Sequence, residues 1–158
     1  EWNHDQSLNW HLLEYAPHQG ILTIIKDLNH LYKSEPACYE FPFDEKGFEW
    51  VDYSDRENSV MIFMRKGEQR EDALIVICNF TPETRSLYRI GVPFRGTWNE
   101  IFNSDSTKYA GSGVLNPGLL YTTPVKYHNK DYSVSITLPP LGISILKLKE
   151  ELAEFDIE

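Results

Sequence analysis

Histidines and carboxylates are the residues whose side chains could most readily perform chemistry in this chain. His4, His11 and His18 recur every seven residues, a wider spacing than that of histidines that share a zinc ion. We therefore expect no metal ion and no cofactor. The sequence lacks the Gly-x-Ser-x-Gly pattern of a nucleophilic serine, and its 24 Asp and Glu residues include no pair that flanking sequence marks for glycoside hydrolysis. No complete active site is predicted.

Tryptophans offer a second kind of chemistry, the binding of a sugar. Trp50 and Trp98 lie in predicted strands near strand ends or edges, and Trp2 lies in the N-terminal segment. An exposed indole presents a flat apolar face beside a polar N–H, which suits stacking on a pyranose ring. The alternative is that these rings are buried in the core, as tryptophan usually is.

Composition excludes several classes of partner. The 158 residues carry a formal net charge of −9 at pH 7, whereas nucleic acid and anionic membranes attract Lys and Arg. We therefore expect neither as a partner. No apolar run has the length of a membrane span, and no signal segment opens the chain. Cys38 and Cys78 stand 40 residues apart without a Cys-x-x-Cys motif, which favours a reducing, cytoplasmic setting.

One amphipathic helix is predicted over residues 18–34. Ile21, Ile25 and Leu28 recur at helical spacing, and Pro17 and Pro36 mark the two ends. An apolar stripe of this width needs a cover, because a bare apolar patch favours aggregation. We expect the cover to be a second copy of the chain in a dimer, another partner, or the rest of the same chain.

From about residue 48 the hydrophobic period changes to two, which indicates strands. Residues 61–63 and 74–78 are apolar on both faces, as in central strands that are covered on both sides. Eight short strands at this spacing predict an antiparallel sandwich or barrel, and we expect residues 103–118, with three glycines, to form a flexible loop. The predicted strands are Phe48–Tyr53, Ser59–Met64, Ala73–Phe80, Leu87–Val92, Thr97–Phe102, Leu120–Tyr127, Tyr132–Leu138 and Ile143–Leu148.

Strings of residues along roughly positions 1–148 closely resemble the glycogen branching enzymes of the α-amylase superfamily, and they occur in the same order. The strings include Glu1-Trp2-Asn3-His4-Asp5, Trp10-His11-Leu12-Leu13-Glu14-Tyr15, Asp27-Leu28-Asn29-His30-Leu31-Tyr32, Gly47-Phe48-Glu49-Trp50, Asn79-Phe80-Thr81-Pro82, Trp98-Asn99-Glu100-Ile101-Phe102 and Leu138-Pro139-Pro140-Leu141. The resemblance is to the C-terminal portion of these enzymes. It implies a 1,4-α-glucan branching activity, in which a cut α-1,4-glucan chain is transferred, with retention, to a 6-hydroxyl to form an α-1,6 branch.

The same resemblance implies a division of the chain. Residues 1–36 correspond to the last loop and final helix of a catalytic (β/α)₈ barrel, residues 37–149 to the C-terminal all-β sandwich, and residues 150–158 to an acidic tail. The fold class implied is mainly β, with an N-terminal helical segment from the end of the barrel. The barrel, absent from these 158 residues, would then be the partner that covers the helix.

The resemblance also implies that no catalytic residue lies in this chain. The nucleophilic Asp, the acid/base Glu and the second Asp of the family lie on earlier barrel strands, and a chain of 158 residues is shorter than the roughly 200 that a barrel needs. The string Asn3-His4-Asp5 has the same residues as the family's signature around that second Asp. Its flanking residues, however, resemble a later segment of these enzymes, the one that follows the last barrel strand. Because the first residue is Glu1 rather than Met, we expect a piece of a longer polypeptide.

We therefore expect the isolated chain to be inactive and to bind α-glucan weakly. Trp50 is the leading candidate, followed by Trp98 and Trp2. Two alternatives from other classes remain open at this point. The chain could be a purely structural domain that seals the barrel, or a free-standing carbohydrate-binding module, although a module has no need of the apolar helix.

Overall fold

One long helix precedes eight antiparallel strands in the computed structural model, which describes residues 3–152. The predicted mainly-β class is confirmed. None of the described helices is both long and apolar enough to cross a membrane. The elements are α1 (Ala16–Ser34), α2 (Pro36–Tyr39), β1 (Phe48–Asp52), β2 (Val60–Arg65), β3 (Leu74–Asn79), β4 (Arg85–Val92), β5 (Gly96–Asn103), β6 (Leu119–Tyr121), β7 (Tyr132–Leu138) and β8 (Ile143–Glu151).

Two prolines define the ends of α1. Pro17 lies in its first turn, where the missing N–H is not needed and the fixed φ suits a helix. At the other end Glu35 adopts an extended conformation (φ −101°, ψ 110°), because the ring of Pro36 disfavours helical geometry in the residue before it. The helix therefore ends at Ser34, where the sequence predicts it.

The strands form two sheets of unequal size that pack face to face. Six strands make one antiparallel sheet in the order β1-β2-β3-β8-β5-β6, and β4 pairs with β7 in a second sheet. The core between the two sheets confirms the predicted sandwich. Its buried residues are Val60, Ile62, Met64, Ala73, Ile75, Ile77, Ile90, Val92, Trp98, Val134, Ile136, Leu138, Leu146 and Leu148.

A second core lies on the other face of the six-stranded sheet, beneath the helices. All six residues of β3 are buried; Ile75 and Ile77 belong to the first core, whereas Leu74 and Val76 belong to the second. This arrangement confirms that the central strands are apolar on both faces because both faces are covered. The buried members of the second core are Ala37, Leu74, Val76, Cys78, Phe102, Tyr109 and Ile145.

Helix α1 covers the sheet with only one part of its apolar surface. Ile24, Leu28 and Leu31 pack against the second core. Ile21 and Ile25 point elsewhere and remain 64% and 51% exposed. The sandwich itself is thus one of the covers expected for the helix, and Leu28 is not available for the dimer contact predicted for it.

The connection between β5 and β6 fastens α1 to the sheet. Tyr109 is buried and donates its hydroxyl hydrogen to Asp27 Oδ2 at 2.6 Å, while Lys108 Nζ lies 2.8 Å from the same oxygen. Gly20 approaches so closely that an added Cβ would stand 2.4 Å from the Tyr109 carbonyl oxygen. The Asp105 carboxylate closes the connection on itself by accepting hydrogen bonds from Ser112. This segment is therefore a hydrogen-bonded part of the fold and not the flexible loop predicted from its glycines.

Candidate binding site

Two of the three candidate tryptophans are not available as binding platforms in the structure. Trp98 is completely buried between the two sheets, and its indole N–H points to the Phe94 carbonyl oxygen at 3.4 Å. The prediction that Trp98 binds glucan is wrong, because Trp98 lies on the face of β5 that packs in the core between the sheets. Trp2 lies outside the described residues.

Trp50 remains on the surface. It lies on β1, an edge strand of the six-stranded sheet, and is 46% exposed. Its cross-strand partner is Phe63, whose ring meets the indole edge-on with centroids 6.1 Å apart. Phe48 makes a second edge-on contact at 5.0 Å. One side of the indole is therefore held by packing while the remainder faces solvent.

The surroundings of Trp50 suit a ligand that combines an apolar face with hydroxyl groups. The exposed Tyr53 ring lies 5.7 Å from the indole, which extends the aromatic surface. Within residues 3–152, no hydrogen-bond partner is found for the indole N–H of Trp50, so this donor is available to a ligand. Phe48 and Tyr53 are not among the site residues predicted from the sequence. Phe48 could have been identified, because a residue two positions before Trp50 shares its strand face.

The opposite face of β1 carries a charge cluster rather than a catalytic pair. Glu49 accepts a hydrogen bond from Lys66 at 3.2 Å and is in contact with Lys130. Burial would raise the pKa of Glu49, but the hydrogen bonds from the two lysines outweigh it and lower that pKa. The Glu49 carboxylate therefore stays ionised, with its charge balanced by the two lysines, and it anchors β1 to the turn that contains Lys130. A carboxylate that holds its proton so weakly is poorly suited to act as a general acid.

The Asn3-His4-Asp5 string is fully open to solvent. His4 Nε2 lies 3.2 Å from Asp5 Oδ1, with both side chains about 80% exposed, and the Asp5 N–H donates to Asn3 Oδ1 at 3.0 Å. No buried carboxylate or enclosing wall accompanies Asp5 among the described residues. Among residues 3–152, no group of three or more His, Cys, Asp or Glu side chains could hold a metal ion.

A wide apolar groove separates the N-terminal segment from α1. Its volume is about 1030 Å³, and the exposed side of α1 forms one of its walls. Trp10 and Leu8 are exposed on the facing wall. The groove is open and mainly apolar, which is typical of a surface that another protein part covers.

His128 is a partly buried titratable side chain in the turn before β7. It begins a two-residue hairpin turn in which His128 and Asn129 both have positive φ (48° and 58°), the geometry of a type I′ turn. Its Nδ1 accepts from the Gly91 N–H at 3.4 Å, and its Nε2 lies 3.4 Å from Asp52 Oδ2. Burial lowers the pKa of His128 below 6.5, although Asp52 and Asp55 oppose this.

A family model described as the alpha amylase C-terminal all-beta domain matches residues 50–149. The chain belongs to this family. The match covers the strands from within β1 almost to the end of β8, and it begins at the position of Trp50. Helix α1, which packs on the same sheet, lies outside it.

Several similar relatives are named as branching enzymes. The chain is 48% identical over 147 residues to the 1,4-alpha-glucan branching enzyme GlgB of Aquifex aeolicus, covering 93% of this chain and 23% of the relative. For the Thermosynechococcus vestitus enzyme the identity is 48%, with 96% and 20% covered. The crystal structure of alpha-amylase from H. orenii superposes with a TM-score of 0.47 at 21% identity, over 82% and 20% of the two chains, and adds nothing to the assignment. The chain thus spans about a fifth of the length of the curated relatives it matches.

The burial of neutral His128 predicts a loss of stability on mild acidification. The unfolded chain takes up a proton at this side chain near pH 6.5, whereas the folded chain does so only at lower pH, so the unfolded state binds more protons in this window. The free energy of unfolding should therefore fall between pH 7.5 and 5.5. His128→Asn suits the positive φ and should flatten this part of the profile, as measured by urea unfolding at both pH values. An equal fall in the parent and the variant would contradict the assignment.

Proposed function

We propose that this chain is the C-terminal part of a 1,4-alpha-glucan branching enzyme, in which it packs against the catalytic barrel and offers α-glucan a weak binding platform at Trp50. The half-exposed, rigidly held indole of Trp50, with its N–H unpaired among the described residues, carries the binding proposal. The identity to branching enzymes along almost the whole chain supports the choice of ligand. Residues 1–36 are then barrel, residues 37–149 the all-β domain, and residues 150–158 an acidic tail.

The Trp50 platform is suited to weak, repeated contact with a polymer. Aromatic contacts contribute about 0.5–1.5 kcal/mol beyond their buried area, too little for tight binding of one ring. A glucan chain can engage several such platforms at once, and linked weak contacts then raise the overall affinity. The role of this platform is therefore to hold long chains near a barrel that performs the transfer.

Replacement of Trp50 should weaken glucan binding. Trp50→Phe keeps the packing on Phe48 and Phe63 but removes the N–H and much of the stacking area, so the Kd for maltoheptaose should rise by about three- to tenfold with a nearly unchanged Tm. Trp50→Ala should abolish the saturable shifts at residues 48–53, which surround the platform. The measurement is an amide-shift titration of the full chain, paired with thermal unfolding.

Tyr121→Ala is the matched control for the Trp50 variants. Tyr121 is an exposed aromatic residue on β6, the opposite edge of the same sheet, so its loss should leave the Kd unchanged. Absence of saturable shifts in the parent chain at tens of millimolar maltoheptaose would leave only a structural role for Trp50. In that case Trp50→Ala would lower the Tm and nothing else.

The apolar groove supports the second half of the proposal, that a barrel packs on α1. Ile21 and Ile25 are more than half exposed on a helix whose other side is already committed to the sheet. Apolar side chains in such a cluster gain free energy when another surface covers them. The relatives are about five times as long as this chain, and we assign the cover to the part of the same polypeptide that holds their remaining length.

Two substitutions on α1 test this assignment in two contexts. In the present chain Leu28→Ala should cost about 1–3 kcal/mol, because Leu28 packs on the second core, while Ile25→Ala should stay within about 0.5 kcal/mol. In the longer polypeptide that includes the barrel, both substitutions should destabilise. Urea unfolding measures both. A neutral Ile25→Ala in the longer polypeptide would contradict barrel packing, and a dimer of the present chain that Ile25→Ala dissociates would assign the groove to a second copy.

The present chain by itself should lack branching activity. None of its described carboxylates combines burial, an enclosing pocket and a partner carboxylate, which retaining glycoside chemistry requires. Incubation with amylose should therefore leave the iodine stain unchanged, whereas the longer polypeptide should shift it. A shift produced by the purified 158-residue chain would contradict the proposal.

The thiols suit a reducing compartment, which we take to be the cytoplasm. Cys38 and Cys78 are both free. Burial raises the pKa of each thiol above its ordinary value, so neither is activated as a nucleophile. Their role is packing in the second core.

A further inference from the structure

A polar pocket lies away from the Trp50 platform, between the β1–β2 turn and the beginning of β4. Its volume is about 490 Å³. Carboxylate, amide and guanidinium groups occur together in its walls, beside two tyrosine side chains and one leucine side chain. The lining residues used below are Asp55, Asn58, Glu83, Arg85, Leu87 and Tyr127.

The Leu87 backbone at this pocket is strained. Its φ is 54°, a left-handed value that is unfavourable for a non-glycine residue, and its side chain is 83% exposed. The strain arises in a bulge, because β4 pairs with β7 at Arg85 and again at Tyr88 with a shift of register between them. Bulges often re-aim a side chain at a functional site. Here the bulge presents an aliphatic side chain at the pocket without burying it.

The Arg85 guanidinium is held in place by neutral oxygens. Its Nη1 donates to Asn58 Oδ1 at 2.7 Å, and its Nη2 donates to Thr81 Oγ1 at 3.3 Å. Its Nε is buried without a hydrogen-bond partner among the described residues. Each terminal nitrogen has a second N–H, which the internal hydrogen bonds leave available to a ligand. The donors of Arg85 are thus fixed in direction before any ligand arrives.

Asp55 places a fixed negative charge beside Arg85. Its carboxylate accepts from the Tyr88 hydroxyl at 2.6 Å and from the backbone and side-chain N–H groups of Asn58 at 2.8 to 3.1 Å, which occupy most of its acceptor capacity. Burial would raise the pKa of Asp55, but the hydrogen bonds from Tyr88 and Asn58 outweigh it and keep that pKa below 3.8. The Glu83 carboxylate also lines the pocket and supplies an acceptor next to the cationic donors. The two carboxylates would repel an anionic ligand, whereas a neutral polyol can use the Glu83 acceptor and the Arg85 donors.

We propose that this pocket binds a ring of a neutral oligosaccharide, as a second site separate from Trp50. The half-exposed Tyr127 ring, fixed against His128 with centroids 4.3 Å apart, and the Leu87 side chain meet the apolar face of the sugar. Arg85 donates hydrogen bonds to its hydroxyls, and the Glu83 carboxylate accepts hydrogen bonds from them. Only the choice of an α-glucan as the probe rests on the function proposed above; the site itself does not depend on Trp50.

An amide-shift titration of the full chain with maltoheptaose tests this second site. Saturable shifts are expected at residues 83–89 and 127, with a Kd in the millimolar range, and they should persist in Trp50→Ala. Tyr127→Ala and Leu87→Ala should each raise this Kd by about three- to tenfold. Absence of saturable shifts at residues 48–53 in the parent chain, with those at 83–89 present, would contradict the Trp50 platform and still support the pocket.

Matched controls separate a site-specific effect from a general one. Leu141 is also an exposed leucine with positive φ (45°), so Leu141→Ala controls for Leu87→Ala, and Tyr121→Ala controls for Tyr127→Ala. The controls should leave the Kd at the pocket unchanged. Three results would overturn the proposal: no saturable shift at residues 83–89, equal effects of variants and controls, or shifts with inorganic phosphate but not with maltoheptaose.

Discussion

The six-stranded sheet is apolar on both faces, and this constraint governs the rest of the structure. Every residue of β3 is buried, so the sheet requires a cover on each side. The β4–β7 pair covers one face and helix α1 covers the other. Loss of either cover would expose a continuous apolar surface at the centre of the molecule, at a cost of about 25 cal/mol for each Å². Within this chain helix α1 thus packs on the all-β unit, although the family match begins after it.

The same constraint explains where binding can occur. A sheet that is buried on both faces can present side chains to a ligand only at its margins. Trp50 lies on the β1 margin, and the Asp55–Arg85 pocket lies where the turn after β1 meets the smaller sheet. Both sites are held by contacts that belong to the fold, namely Phe63 beneath Trp50 and Asn58 beside Arg85. Rigid support of this kind reduces the entropy lost when a ligand binds, which matters most for weak sites.

Much of the fold could be predicted from the sequence because alternation determines which residues share a face. The predicted bounds of β7, Tyr132–Leu138, are those of the structure. Alternation failed where other groups intervene. Because it alternates with the apolar Tyr132 and Val134, Ser133 should face water, but it is buried beneath Arg89 and Thr123, which both hydrogen-bond to it. On β5, a change of register between Glu100 and Phe102 places Trp98 in the first core and Phe102 in the second, although their spacing predicts a common face.

The candidate sites were less predictable, because exposure depends on strand order rather than on local sequence. Trp50 and Trp98 both occur in predicted strands, but β1 is an edge strand, whereas Trp98 lies on the face of β5 that packs in the first core. The pocket at Arg85 joins segments nearly thirty residues apart and depends on a bulge, so no short motif encodes it.

Helix α1 illustrates how one element can serve two partners. Leu28 and its neighbours cover one face of the sheet within the chain. Ile21 and Ile25, by contrast, extend the apolar surface of the helix beyond the part that the sheet covers. A helix needs only one apolar stripe to pack on one surface. The second stripe has a free-energy cost in water that is offset only if a further surface lies against it. The width of the stripe therefore supports the proposed role inside a larger polypeptide, with the helix between the all-β unit and a further part of that polypeptide.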